Sequence, residues 1–190
     1  MGAFTLPTPA RTSVAEIVTA GRAILEAEGL DGLTMQRVAV AVGVRAPSLY
    51  KRVRGRADLI RLIAGDIASE LSDILDAAAK SGGPRTALRA LAEAFRAFAL
   101  AHPESYGLLF VRLPEEARLD PELNARASEA LLRTAAELAG RDQALEAART
   151  VVAWATGFIN MELAGAFRLG GDVDRAFAYG IDRLTTAIEA

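Results

Sequence analysis

Cysteine is absent from the chain, which excludes disulfides and thiolate metal sites and leaves the redox compartment open. Histidine occurs once, as His102, so no second imidazole is available to complete a zinc site. There is no Gly-rich phosphate loop and no HExxH pair, so the parts of the common enzyme sites are missing. No uninterrupted apolar run reaches the roughly 18 residues that span a bilayer. The first twelve residues, MGAFTLPTPART, carry two prolines, one cation and no sustained apolar segment, which argues against a signal peptide. No stretch alternates long enough to read as a strand. The expectation is a cytoplasmic all-α protein that is not an enzyme, needs no cofactor or metal and has no membrane partner. Lysine is scarce as well: only Lys51 and Lys80 occur among 22 cations, so arginine is a compositional habit of this chain and no single Arg is informative by type alone.

What is present is apolar mass and an uneven distribution of charge. With 190 residues and 52% hydrophobic content the chain can bury a sizeable core. Its formal net charge of −2 would by itself argue against a nucleic-acid partner. Residues 1 to 61, however, hold nine basic side chains against five acidic ones. Six of those cations fall between Arg45 and Arg61 with one carboxylate among them, the footprint of a surface that meets phosphates.

In chain order, a Pro-interrupted arm ends at Arg11. Ser13 is placed to cap a first helix whose apolar face is Val14, Ile17, Val18, Gly21, Ile24 and Leu25, ended by Gly29. Thr34 caps a short second helix, Gly43 sits where a left-handed residue is wanted, and Pro47 suits the first turn of a third. A long fourth helix follows from Arg56, with Ile60, Ile63, Ile67, Leu71 and Ile74 in one stripe, until Ser81-Gly82-Gly83-Pro84 breaks it. Further helices run to about Ala101, over 106–112, and from Asp120 to Gly140. Another runs from an Asp142 cap to Leu169, apolar on nearly all sides, and the last from Asp172 to about Glu189. About nine helices result, divided at 55/56 into an N-terminal three-helix unit and a larger helical body, with the fourth helix shared between them.

Residues 33 to 58, LTMQRVAVAVGVRAPSLYKRVRGRAD, have the spacing of a helix-turn-helix. Such a unit needs a small residue in its first helix, a turn glycine and apolar pins in the second. Ala39, Gly43, Val44 and Leu49 supply them. The recognition helix then presents Arg45, Ala46, Ser48, Lys51 and Arg52 to a major groove. Through LTMQRVAVAVGVRAPSLYKRV and the following RGRADLI the chain resembles the TetR family of bacterial transcriptional regulators. The resemblance implies a homodimer bound to a pseudo-palindromic double-stranded DNA operator and a C-terminal domain that takes a small-molecule effector. It also implies that Thr34 and Tyr50 touch phosphates, that Arg45, Ser48 and Lys51 face base edges or nearby phosphates, and that Arg56 matches the basic residue at the start of the fourth helix. Arg52 and Val53 depart from the family, where His or Tyr and then Phe are common; Arg52 still reaches a phosphate. The segment from Trp154 and Gly157 onward resembles a TetR subgroup named for a Trp-His-Gly motif, but Ala155 and Thr156 stand between the Trp and the Gly, so no histidine role carries over.

For the helical body, an effector pocket is expected among Phe95, Phe98, His102, Phe110, Trp154, Phe158 and Met161, although aromatic residues at helical spacing are usually core. A dimer interface is expected from the last two helices, through Ile159, Ala166, Phe177, Ile181 and Leu184. The function expected is a repressor released from its operator by a small apolar effector. The alternative is a helical small-molecule binding or adaptor protein that does not use DNA.

Overall fold

The computed structural model describes residues 12–189, so the arm ending at Arg11 lies outside the described residues. Among the described residues there are nine α-helices, two single 3-10 turns and no strand. The helices are α1 Val14–Gly32, α2 Met35–Ala41, α3 Ala46–Leu49, α4 Arg56–Ala78, α5 Pro84–Ala101, α6 Pro103–Phe110, α7 Pro121–Ala139, α8 Ala144–Leu163 and α9 Val173–Ile188. The turns are Glu115–Ala117 and Arg141–Gln143.

Local chemistry starts and stops these helices largely where expected. Ser13 and Glu16 form a capping box: the Glu16 N–H donates to Ser13 Oγ at 3.2 Å, and the Ser13 N–H donates to Glu16 Oε2 at 2.7 Å. The Ser13 N–H, with the Ser13 hydroxyl that also donates to Glu16 Oε2 at 3.1 Å, holds the Glu16 carboxyl below the usual carboxylate range. Gly29, with φ 70°, breaks the helical geometry of α1 before a final short turn to Gly32. Gly43, with φ 69°, ends α2 by letting the Val44 N–H turn back to the Ala39 carbonyl at 2.9 Å.

One core runs through both halves of the chain. Ile17 and Leu25 of α1, Val38 of α2 and Leu49 of α3 share a buried cluster with Leu59, Ile63, Ile67 and Leu71 of α4 and with Tyr106 and Leu108 of α6. The helix α4 packs on α1, α5, α6 and α7. A second cluster joins Leu88 of α5 and Val151 of α8 to Phe177 and Ile181 of α9. Arg96 of α5 ties these elements together. Its Nε donates to Glu162 of α8 at 2.7 Å, a terminal nitrogen donates to Asp174 of α9 at 2.7 Å, and the guanidinium lies 5.0 Å from the Phe177 ring centroid.

The expected bounds of α8 are corrected here. The helix α8 ends at Leu163 rather than Leu169, because Gly165 takes φ 62° and the Ala166 N–H turns back to the Met161 carbonyl at 2.8 Å. Asp142 sits in the preceding 3-10 turn and does not cap α8. The residues expected at a dimer interface divide between the interior and the surface. Ile159, Phe177 and Ile181 are buried within the chain itself, Leu184 is half-buried, and Ala166 lies on the connection after α8. An amphipathic stripe faces the core of its own chain first, and the stripe of α9 does so here.

The packing of α8 on α9 leaves no room at Gly180, where an added Cβ would stand 2.1 Å from Trp154 Cζ2. Gly180→Ala should therefore destabilise the protein by about 1–3 kcal/mol in urea denaturation, despite alanine's better helix propensity. An unchanged or raised midpoint would mean that the indole is free to move.

Candidate nucleic-acid interface

The helix-turn-helix exposes polar and cationic groups on one side and pins itself with apolar groups on the other. Leu49 and Val53 are fully buried and pin the unit from below. Arg45, Ser48, Tyr50, Lys51, Arg52 and Arg54 are exposed. Among the described residues the side chains of Arg45, Lys51, Arg52 and Arg54 have no ion pair. By contrast, Arg37 pairs with Glu28, and Arg61 with Asp58. Tyr50 follows α3 directly and is 54% exposed, so its hydroxyl reaches solvent. Thr34 caps α2 by accepting from the Arg37 N–H at 3.3 Å, which leaves its own O–H free to donate. The structure thus brings Arg45, Ser48, Tyr50, Lys51 and Arg52 onto the exposed side of one short segment, with Thr34 at the start of α2.

This side meets a well-anchored α4. The Asp58 carboxylate accepts from the Arg54 N–H at 3.0 Å and from Arg61 at 2.7 Å, and these bonds hold it below the usual carboxylate range. Arg56 behaves differently from the expectation that it meets DNA. Its Nε donates to the Leu33 carbonyl at 2.8 Å and a terminal nitrogen donates to the Leu30 carbonyl at 2.6 Å. Leu33 is the C-cap of α1, and the Leu30 carbonyl also accepts the Leu33 N–H at 3.3 Å, so Arg56 adds donors at the end of α1. Arg56 is thereby a clamp between α1 and the start of α4.

Residues 11–63 match the family described as bacterial regulatory proteins, tetR family, and residues 88–184 match the tetracyclin repressor-like C-terminal domain. The second match spans half of the chain. This chain belongs to the TetR family. An uncharacterized HTH-type transcriptional regulator of Mycobacterium tuberculosis is 29% identical over 185 residues, covering 95% of this chain and 84% of that protein. A protein of unknown function from Rhodococcus sp. RHA1 superposes with a TM-score of 0.83 at 23% identity, covering 99% of this chain and all of the other. A TetR variant from Acinetobacter baumannii, crystallised in complex with minocycline, superposes with a TM-score of 0.65 at 21% identity, covering 90% of this chain and 93% of that one.

TetR proteins are DNA-binding regulators of transcription rather than enzymes, and they answer to small molecules, so the residues expected to form an effector pocket matter next. The structure divides them into two groups. Phe95 stands edge-on to Phe110 and to Tyr106, at centroid distances of 6.2 and 5.7 Å, and Phe110 is tilted against Tyr106 at 5.0 Å. Trp154 and Phe158, both half-buried, pack on Phe177 in the α8–α9 cluster, 5.1 and 5.2 Å away. Phe98 is buried in the larger core and lies 5.3 Å from His102, while Met161 is half exposed. The two open grooves described on the surface, of about 610 and 690 Å³, are lined by Arg22, Asp66, Glu70 and Asp73 and by Glu122, Arg126, Glu129 and Arg133 with their neighbours. None of the seven expected residues lines either. Tyr106, a phenol within an otherwise apolar segment and not among the expected residues, joins Phe95 and Phe110. Among the described residues no group of His, Cys, Asp or Glu is arranged to hold a metal, and no helix is long and apolar enough to cross a membrane.

The Arg56 clamp separates stability from DNA contact. Arg56→Ala should lower unfolding free energy by about 1–3 kcal/mol in chemical denaturation, while leaving the slope of log Kobs against log salt for DNA as in the wild type. A slope reduced by about one unit with unaltered stability would return Arg56 to the DNA-facing set.

Proposed function

We propose that this chain is a homodimeric repressor that binds a pseudo-palindromic operator and is released from it by a small, uncharged, mostly apolar effector. The observation that carries the DNA-facing part is the cationic row Arg45, Lys51 and Arg52, which has no ion pair among the described residues and is exposed together with Ser48 and Tyr50. Cations not engaged by carboxylates of their own chain are available to displace counterions from phosphates. In this reading Arg45, Ser48 and Lys51 address base edges or adjacent phosphates, and Thr34, Tyr50 and Arg52 hold the backbone. The description of the C-terminal match, tetracyclin repressor-like, supports repression as the direction of control.

Dimerisation supplies the second half-site. The face of α8 and α9 turned away from the core exposes Ala153, Gly157, Met161 and Ala164 beside Ala176 and Tyr179. These side chains, small apart from Met161 and Tyr179, let a second copy of the pair approach closely. The likeness to the Trp-His-Gly subgroup adds no ligand role, because Trp154 packs against Phe177 and over Gly180.

Electrophoretic mobility shift with the DNA upstream of the chain's own coding region tests the first part. Lys51→Ala and Arg52→Ala should each weaken binding and reduce the salt slope by about 0.9. Unchanged slopes in both variants would remove this face from DNA contact. For the second part, Gly157→Glu places a carboxylate where an added Cβ meets nothing within 4 Å, so the fold should tolerate it. Analytical ultracentrifugation should then show monomers with weakened operator binding, and an intact dimer would move the interface elsewhere.

A further inference from the structure

The interior of the C-terminal body contains three hydroxyls with no hydrogen-bond partner among the described residues, those of Ser105, Tyr106 and Thr156. The Tyr106 phenol oxygen and Thr156 Oγ1 are both closed to solvent and accept or donate no hydrogen bond among the described residues. Tyr106 is 2% exposed. The two face each other from α6 and α8. Burial pushes the Tyr106 phenol up from its ordinary value, and the nearby Thr156 hydroxyl tempers that push, yet the oxygens remain outside hydrogen-bond geometry. Buried polar groups are nearly always paired, so this pair is set for an oxygen that the chain does not itself supply.

The surroundings define what carries that oxygen. Phe95 and Phe110 stand against Tyr106 with centroids 5.7 and 5.0 Å away, and Phe110 is 49% exposed, so the aromatic wall continues to the surface. No ion pair among the described residues reaches Tyr106 or Thr156. The cation of α5, Arg96, is engaged by Glu162 and Asp174. A charged ligand would lose hydration with no counter-charge to replace it. Both hydroxyls can donate, and one carbonyl oxygen offers two lone pairs to receive them. Building on the effector-responsive repressor described above, we propose that Tyr106 and Thr156 together bind the carbonyl oxygen of an uncharged aromatic effector whose ring packs against Phe95 and Phe110.

The test uses the full chain and three probes of nearly equal shape: acetophenone, α-methylstyrene, in which a methylene replaces the carbonyl oxygen, and benzoate, which carries charge. Ligand-detected NMR titration should give acetophenone an affinity about tenfold above that of α-methylstyrene, with benzoate the weakest. Tyr106→Phe and Thr156→Val should each reduce acetophenone binding about threefold to tenfold and leave α-methylstyrene unaffected. Because neither hydroxyl has a partner in the free protein, both variants should melt at or above the wild-type temperature.

Equal affinities for ketone and hydrocarbon, tighter binding of benzoate, or no detectable binding of acetophenone would overturn the assignment. So would lowered melting temperatures in both variants together with no preference for the ketone, which is the behaviour of two hydroxyls bridged by a fixed water. Mobility shift with the same wild-type protein and no probe keeps the two readings apart. Intact operator binding alongside failed ketone recognition would refute this site alone, whereas absent DNA binding would refute the repressor.

Discussion

The apolar stripe of α4 is the constraint on which the remaining structure depends. Leu59, Ile60, Ile63, Ile67, Leu71 and Leu75 are all buried, and they lie in a cluster that also holds residues of α1, α2, α3 and α6. The helix-turn-helix therefore has no separate core on which to rotate. Protein interiors are packed to crystal-like density, so a shift of α4 relative to the body must repack the contacts that position α1, α2 and α3. Polar contacts fix the same joint: Arg56 holds the end of α1, and Arg22 pairs with Asp66 at 3.2 Å and with Glu70 on the flank of α4.

A second connection bypasses α4. Glu26 of α1 accepts from the Ser105 N–H at 2.9 Å, so α1 grips the first turn of α6 directly. The residue after Ser105 is Tyr106. Any displacement of the α6 backbone that re-aims the phenol also moves the N–H held by Glu26. The DNA-binding unit is thus joined to the body by a packed helix and by a charge-assisted hydrogen bond, and the second runs to the element that carries the unpaired hydroxyl.

Where structure follows from local chemistry, the sequence was readable. The capping roles of Ser13 and Thr34, the left-handed turn at Gly43 and the place of Pro47 depend on neighbours within a few residues. Together with a 3.6-residue apolar period they sufficed for nine helices and the helix-turn-helix. What could not be read is where a given face points. The stripe Phe177, Ile181 and Leu184 looks alike whether it meets a partner or its own core, and two of its members are fully buried within the chain. Phe98 and Phe95 share one helix and one residue type, yet one lies in the core and the other beside Tyr106. A cation's type does not name its partner either: Arg52 has no ion pair among the described residues, while Arg56, four residues on, is held by two carbonyls. The end of α8 at Leu163 was hidden because Gly165 lies between apolar flanks that continue the helical pattern.

Energetics connect the unpaired hydroxyls to control. A buried polar group without a partner costs about 1–3 kcal/mol, which is the size of a typical allosteric coupling free energy and a tolerable fraction of the roughly 5–15 kcal/mol that keeps a domain folded. A ligand can shift a conformational equilibrium only by its difference in affinity for the two states. Aromatic packing against Phe95 and Phe110 survives small changes in the distance between α6 and α8, because dispersion is non-directional. Two hydrogen bonds to a single oxygen do not survive them, because both length and angle are restricted. In the proposed site the discrimination between states comes from Tyr106 and Thr156 rather than from the aromatic wall. The spacing of α6 and α8 that satisfies both hydroxyls is there the one an effector stabilises, and the hydrogen bond from Ser105 to Glu26 joins α6 to α1.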